Sequence, residues 1–237
     1  MESCTHSSSY SLVRLVNPVS STHNTAGHTL KSSLIYNYEI DTSDRSDSQK
    51  SSYRFKLYSE VAGLGGDVLF SKNQIDFKSD INIYKRFSIT SVMRMGAIFP
   101  LFNQSTSITD RFFLGGPMSL RGVLYRGMGP FDKTNCLGGD IFGIASLSLL
   151  APLPFVKSRN FCSHFWLNSG SLAILKKDVP YSEQALSLLQ KPTIVGGAGI
   201  AYKLNNLQLE LNYCLPISAF ETDKLKKGFQ FTLGLMF

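Results

Sequence analysis

Residues 110–130, DRFFLGGPMSLRGVLYRGMGP, lie between stretches that alternate apolar and polar residues, yet show no such alternation themselves. Glycines stand at 115, 116, 122, 127 and 129, prolines at 117 and 130, and arginines at 111, 121 and 126. Glycine reaches backbone conformations and close approaches denied to other residues, so the cluster predicts a loop that turns tightly beside other backbone. An arginine held in such a loop presents a planar fork of donors to a carboxylate or carbonyl. The surrounding segment, 102–137, is much longer than an ordinary hairpin connection. A plain external loop is the competing reading. A phosphate cradle is not supported, because GxxxxGK[ST] is absent.

Outward from the loop the dominant signal is alternation of period two, the signature of strands with two unlike faces. In NLQLELNYCLP (206–216), Leu207, Leu209, Leu211, Tyr213 and Leu215 share one face, while Gln208, Glu210, Asn212 and Cys214 share the other. GFQFTLGLMF (228–237) sets Phe229, Phe231, Leu233, Leu235 and Phe237 against Gln230, Thr232 and Gly234. NQIDFKSDINIY (73–84) behaves alike. The pattern predicts strands near 30–41, 51–62, 67–85, 86–100, 138–152, 161–172, 193–204, 206–216 and 227–237, with a weaker candidate near 9–17. SEQALSLLQK (182–191) reads as a helix within a loop. The chain is therefore all-β.

Many of these strands match the ~9–11 residues of a tilted bilayer-crossing strand. A soluble sandwich or barrel would alternate too, with its apolar face inward. Here the apolar faces are bulky, and the polar faces mix Glu, Asp, Lys and Asn with Gly, Ser and Thr. That composition favours a transmembrane antiparallel β-barrel with a wet interior and a lipid-facing exterior. A membrane sheet must close to pair its backbone groups. Closing about nine or ten strands on themselves would leave no room for a long loop inside.

Composition agrees. Charged residues are 17% of the 237, below the roughly 25% of soluble domains. The net charge of +7 suits anionic lipid, nucleic acid or an acidic peptide, and decides nothing alone. Cys4, Cys136, Cys162 and Cys214 form no CxxC pair and read as free thiols, and the histidines lack metal-ligand spacing. Residues 1–25 carry neither a secretory core nor the Arg-rich, acid-poor pattern of a transit peptide. The longest uncharged run, 141–156, contains Pro152 and Pro154 and is shorter than the ~20 residues of a membrane helix. No catalytic triad, paired-carboxylate site or nucleotide fingerprint stands in a supporting context, so no enzyme, cofactor or metal is expected.

DRFFLGGPMSLRGV resembles the signature loop of the outer-membrane β-barrel insertases, also called the bacterial surface antigen family. LGGDIFGIASLSLLAPLPF (137–155) is similar to the strand after that loop, and HFWLNSGSL (164–172) to the strand facing it. LELNYCLP (209–216) and the closing strand resemble most the mitochondrial branch, the channel subunits of the sorting and assembly machinery.

The resemblance implies the C-terminal part of a roughly sixteen-stranded barrel, without a counterpart of the amino-terminal peptide-binding domain or of about the first six or seven strands. Residues 27–237 carry it, with the long inward loop at 102–137, and residues 1–26 form a poorly patterned stretch. Arg121 and Gly122 match the loop tip, with Val123 where the family usually has Phe or Tyr. Asp140, Trp166, Asn168 and Gly170 match the wall facing the loop. Neutral Asn168 replaces a family carboxylate, so its contact with Arg121 is expected to be a hydrogen bond rather than an ion pair.

Lys226, Gly228, Phe231 and Leu233 match the polar-x-Gly-x-x-apolar-x-apolar signal of a last strand at a lateral seam. The implied location is the mitochondrial outer membrane. Implied partners are β-barrel precursor proteins, accessory subunits of the assembly complex and membrane lipids, with no nucleic acid. A passive pore of the same architecture and a soluble β-barrel binding protein are the alternatives. His164 and Trp166 are expected on the inner side, and Lys224, Lys226 and Lys227 in a solvated turn or against headgroups.

Overall fold

A computed structural model describes residues 3–17, 27–42, 51–63, 65–84, 87–102, 106–153, 156, 160–176, 179–204 and 207–235. The strands are β1 (Ser3–Asn17), β2 (Gly27–Asp41), β3 (Ser52–Ala62), β4 (Phe70–Tyr84), β5 (Phe87–Pro100), β8 (Ile141–Pro152), β9 (Phe161–Ala173), β10 (Thr193–Leu204), β11 (Leu207–Ser218) and β12 (Gly228–Leu235). They form one ten-stranded antiparallel sheet in the order β1-β2-β3-β4-β5-β8-β9-β10-β11-β12, with β1 and β12 as its edges. The minor hairpin β6 (Phe131–Asp132) and β7 (Asn135–Cys136) lies inside the long loop. Each main strand pairs with its neighbour in sequence, the up-and-down meander that strand alternation and turn spacing predict.

One element differs from expectation. The weak candidate near 9–17 begins at Ser3 and pairs along its whole length with β2, so the division drawn at residue 26 falls within one hairpin. Ser7, Ser8, Ser9 and Ser11 gave little apolar signal. Backbone pairing needs none, and Tyr10 Oη to Ser32 Oγ (2.6 Å) and Ser11 Oγ to Ser33 Oγ (2.8 Å) add cross-strand rungs. The helix expected over 182–191 is α1 (Tyr181–Gln190), in the β9–β10 connection.

The two faces decide the architecture. Phe229 and Phe231 are 71% and 60% exposed, whereas Glu210 and Asn212 are 6% and 0% exposed. A sandwich or soluble barrel would bury the first pair and wet the second. The bulky apolar face points outward, as on a barrel wall bathed in lipid. Among the described residues no helix is long and apolar enough to cross a membrane. The crossing is made by strands.

The interior is less uniformly wet than expected. Along β2–β4 the inner face carries ion pairs, Arg54–Asp41 (2.6 Å), Lys56–Glu39 (3.0 Å) and Lys78–Asp80 (3.0 Å). Under the loop it is a packed core: Phe112, Leu114, Leu120, Val123 and Met128 meet Phe142, Ile144, Trp166 and Val195 of the wall. The loop brings its own apolar surface and displaces water there.

Candidate functional site: the loop seated against the wall and the last strand

Gly115 and Gly116 adopt φ of 114° and 101°, turning the chain so that the Gly116 N–H donates to the Val123 carbonyl (3.1 Å) and the Leu120 N–H to the Gly116 carbonyl (2.9 Å). Gly122 has φ of 76°, and a β-carbon there would run into Val195. Glycine is therefore what lets the tip press onto β10.

At the tip, Arg121 Nη2 and Nε donate to Glu210 Oε2 at 2.8 and 3.2 Å. Glu210 is otherwise held by Asn212 Nδ2 (3.0 Å) and Gln208 Nε2 (2.7 Å). His164 Nδ1 lies 2.9 Å from Asn212 Oδ1 and 3.8 Å from Glu210 Oε2. The Arg121 guanidinium sits 5.9 Å from the centre of the Trp166 ring.

Asn168 meets the tip through the backbone. With its amide oriented to donate to Ser146 Oγ (2.6 Å) and Leu167 O (3.2 Å), its Oδ1 accepts from the Arg121 N–H at 3.1 Å. The hydrogen bond expected of Asn168 is thus to the main chain. The guanidinium makes an ion pair after all, to a carboxylate from β11 that sequence reading did not single out. Glu210 had one readable sign, a carboxylate among neutral residues on the polar face of the most regular strand.

The remaining wall residues are in place. Trp166 is buried on the inner side, packed against the loop and over Gly197. Gly170 leaves room for Leu120, whose methyls would lie 3.1 Å from a β-carbon there. Asp140 serves the base of the loop, not its tip. Its Oδ1 accepts from Thr106 Oγ1 (2.6 Å) and faces Arg111 Nε (3.5 Å), and its Oδ2 accepts from the Leu175 N–H (3.0 Å). Val123 is buried in the core.

Two features escaped the sequence. Asp110, at the start of the loop, accepts from Lys31 Nζ at 2.8 Å, and Lys31 also pairs with Glu60 at 2.8 Å. Lys72 Nζ donates to the Asp110 carbonyl (2.8 Å). The loop is thus held at its base by β2 and β4, and at its tip by β9, β10 and β11.

The second is a backbone clasp. The Leu124 N–H donates to Lys224 O (3.0 Å), the Lys224 N–H to Gly127 O (2.8 Å) and the Lys226 N–H to Gly122 O (2.9 Å), with Val123 bridged to Leu225. Residues 224–226 thus pair with the loop tip through their backbone, while Lys226 and Lys227 remain exposed, as expected of a solvated turn. The contact continues into β12, where Gln230 Oε1 accepts from the Gly122 N–H (3.1 Å). Lys224 Nζ lies over the Phe131 ring at 4.0 Å.

The last-strand set divides accordingly. Lys226 joins the clasp through its backbone. Gly228, at φ of 121° with open space around it, is the bend between clasp and strand. Phe231 and Leu233 point outward, away from the loop. Among the described residues no group of His, Cys, Asp and Glu is arranged to hold a metal ion.

The chain has relatives among known proteins. The chain matches the Omp85 superfamily domain over residues 2–237. It is 34% identical over 219 residues to the sorting and assembly machinery component 50 homolog A of Xenopus laevis, covering 90% of this chain and 47% of that protein. Its identity to the human homolog is 35% over 223 residues, again 90% and 47%. For a SAM50-like protein of Schizosaccharomyces pombe it is 36% over 218 residues, 90% and 46%. The chain spans about half the length of the curated relatives it matches.

Among solved structures, BamA from Haemophilus ducreyi lacking POTRA domains 1–3 superimposes with a TM-score of 0.69 at 15% identity, over 90% of this chain and 44% of that one. CdiB from Acinetobacter baumannii gives 0.56 at 14%, over 90% and 35%. At such identities these two speak for the fold. Matching the family model along nearly its whole length, the chain belongs to the Omp85 superfamily, as a SAM50-like member.

Proposed function

We propose that this chain forms the seam-bearing part of a β-barrel insertase, assembling barrel precursors by pairing an incoming strand with the exposed edge of β12. The chain lies in the mitochondrial outer membrane as a multi-pass β-barrel segment, in keeping with its family and its sorting-and-assembly relatives. The observation that carries the mechanism is the clasp. One loop tip grips Glu210 through Arg121 and, two residues on, pairs by backbone with the lead-in to the last strand.

The physics is strand addition. Unpaired N–H and C=O groups of an edge supply affinity, and side-chain alternation fixes register. Such an edge is ordinarily a liability, and here it is the working surface. Phe231 and Leu233 face the lipid side, where a client strand in register sets its own apolar residues. Gly228 supplies the bend about which β12 turns when the tip lets go. No bond is made or broken except hydrogen bonds. The partners in this reading are β-barrel precursors and accessory subunits of an assembly complex.

The test is site-specific crosslinking in mitochondria whose only copy of this protein carries a cysteine at Phe229, Phe231 or Leu233. An arrested precursor bearing a cysteine in its own last strand should form disulfides in one register, each position along β12 pairing with one position of the precursor. Ion conduction without any such crosslink would favour the passive-pore reading, for which the charged inner wall of β2–β4 gives the opening.

A further inference from the structure

Helix α1 lies outside the barrel, against the lipid-facing wall. Tyr181 meets Phe99 edge-on at 5.4 Å between ring centres, and Ser171 Oγ donates to Leu188 O at 2.8 Å; Phe99 and Ser171 both occupy outward positions. Beneath the helix the wall is made of small residues. Gly143 and Ala145 of β8 pair with Ser171 and Ser169 of β9. Bulky side chains border them, Ile75 of β4 and Met93 and Met95 of β5. The result is an apolar groove of about 520 Å³ roofed by Leu188 and Ala185. A β-carbon added at Gly143 would have nothing within 4 Å, so the floor of the groove is open.

The groove has a charged mouth. Lys176 follows β9 and Lys191 closes α1; both are exposed, and they line an adjoining cavity of about 490 Å³ that shares Ser171 and Leu188 with the groove, so the two cations stand beyond Leu188 at the strand ends. The Lys176 N–H is tied to Gln184 Oε1 of the helix at 2.7 Å, which anchors the backbone of that residue to α1. An apolar slot on a lipid-facing wall, with two cations at the level of the strand ends, is complementary to a lipid with a long apolar tail and an anionic head.

We propose that this groove seats one acyl chain of an anionic glycerophospholipid, its phosphate held by Lys176 and Lys191. The site is distinct from the seam and independent of the insertase reading. It requires only that the wall face lipid. A bound chain completes the packing between α1 and the small-residue wall, which the protein's own side chains leave unfilled.

The test uses the full chain folded in phosphatidylcholine nanodiscs containing phosphatidylglycerol with a diazirine midway along one acyl chain. After illumination, adducts should concentrate on Met93, Met95, Gly143, Ala145 and Leu188. The same diazirine carried on phosphatidylcholine should label these positions less. Replacing both lysines by alanine should cut the phosphatidylglycerol yield about tenfold or more, since each basic residue near the surface is worth roughly 1 kcal/mol. Gly143→Phe should abolish the adducts by filling the groove. Heat-shifted mobility on gels checks that the variant is folded, and Ala145→Leu serves in its place if it is not. Adducts spread evenly around the barrel, equal labelling by both lipids, or undiminished labelling of a folded groove-filling variant would each overturn the proposal.

Discussion

Arg121 and Glu210 show how much one charged pair is asked to do. Glu210 is nearly buried, and its remaining neighbours are the amides of Asn212 and Gln208 and the ring of His164. Truncating the arginine leaves a carboxylate in a site water reaches poorly. Stranding a fully buried charge costs about 3–5 kcal/mol, and the partial exposure of Arg121 places this pair toward the lower end. Arg121→Ala should therefore destabilise the docked loop by about 2–3 kcal/mol, and Glu210→Gln should recover part of that loss. A double-mutant cycle on urea unfolding from vesicles reads the coupling. Strict additivity would mean that the two groups do not interact.

Gly122 makes a separate prediction. At φ of 76° and pressed on Val195, it has no room for a methyl group. Gly122→Ala should cost about 1–3 kcal/mol of loop docking, seen as faster tryptic cleavage after Arg121 and Arg126.

At the scale of elements, the loop acts as an inserted strand. It pairs with residues 224–226, and these lead through the bend at Gly228 into β12. Lys226→Pro deletes the donor to the Gly122 carbonyl while leaving both ends of the chain in place. One backbone hydrogen bond is worth roughly 1 kcal/mol net, so amide exchange at Leu124 and in the first residues of β12 should rise about fivefold. Unchanged protection would separate loop from last strand and remove the structural basis for coupling them.

The base of the loop is a second anchor point, with Asp110 between Lys31 and Lys72. The helix and the loop as elements were readable beforehand, since period-two alternation stops at 102 and a helical run interrupts it at 182. What those elements touch was not.

For the whole molecule the decisive property is which face meets lipid. Arginine on the lipid face near the bilayer midplane costs roughly 2–4 kcal/mol, and much less where it can reach an aqueous lumen. Leu211→Arg, on the outer face of β11, should lower folding stability in vesicles by that amount, whereas Ser148→Arg on the inner face of β8 should change it far less. Equal penalties, or the reverse order, would reject the assigned orientation. Refolding titrations in short-chain lipid vesicles provide the measurement.

The sequence by itself determined the strands, their two unlike faces, the glycine-rich loop between 102 and 137 and the short helix. Each follows from a period or a backbone preference that acts within a dozen residues. Tertiary structure alone decided the partners. Glu210 lies 89 residues from Arg121, and Asp110 lies 79 from Lys31. No local rule couples positions so distant, and several inward-facing groups could have met either cation. Only the strand register and the curvature of the wall, fixed together, bring Glu210 to Arg121 and both Asp110 and Glu60 to Lys31, and set the loop tip against the strand that ends the sheet.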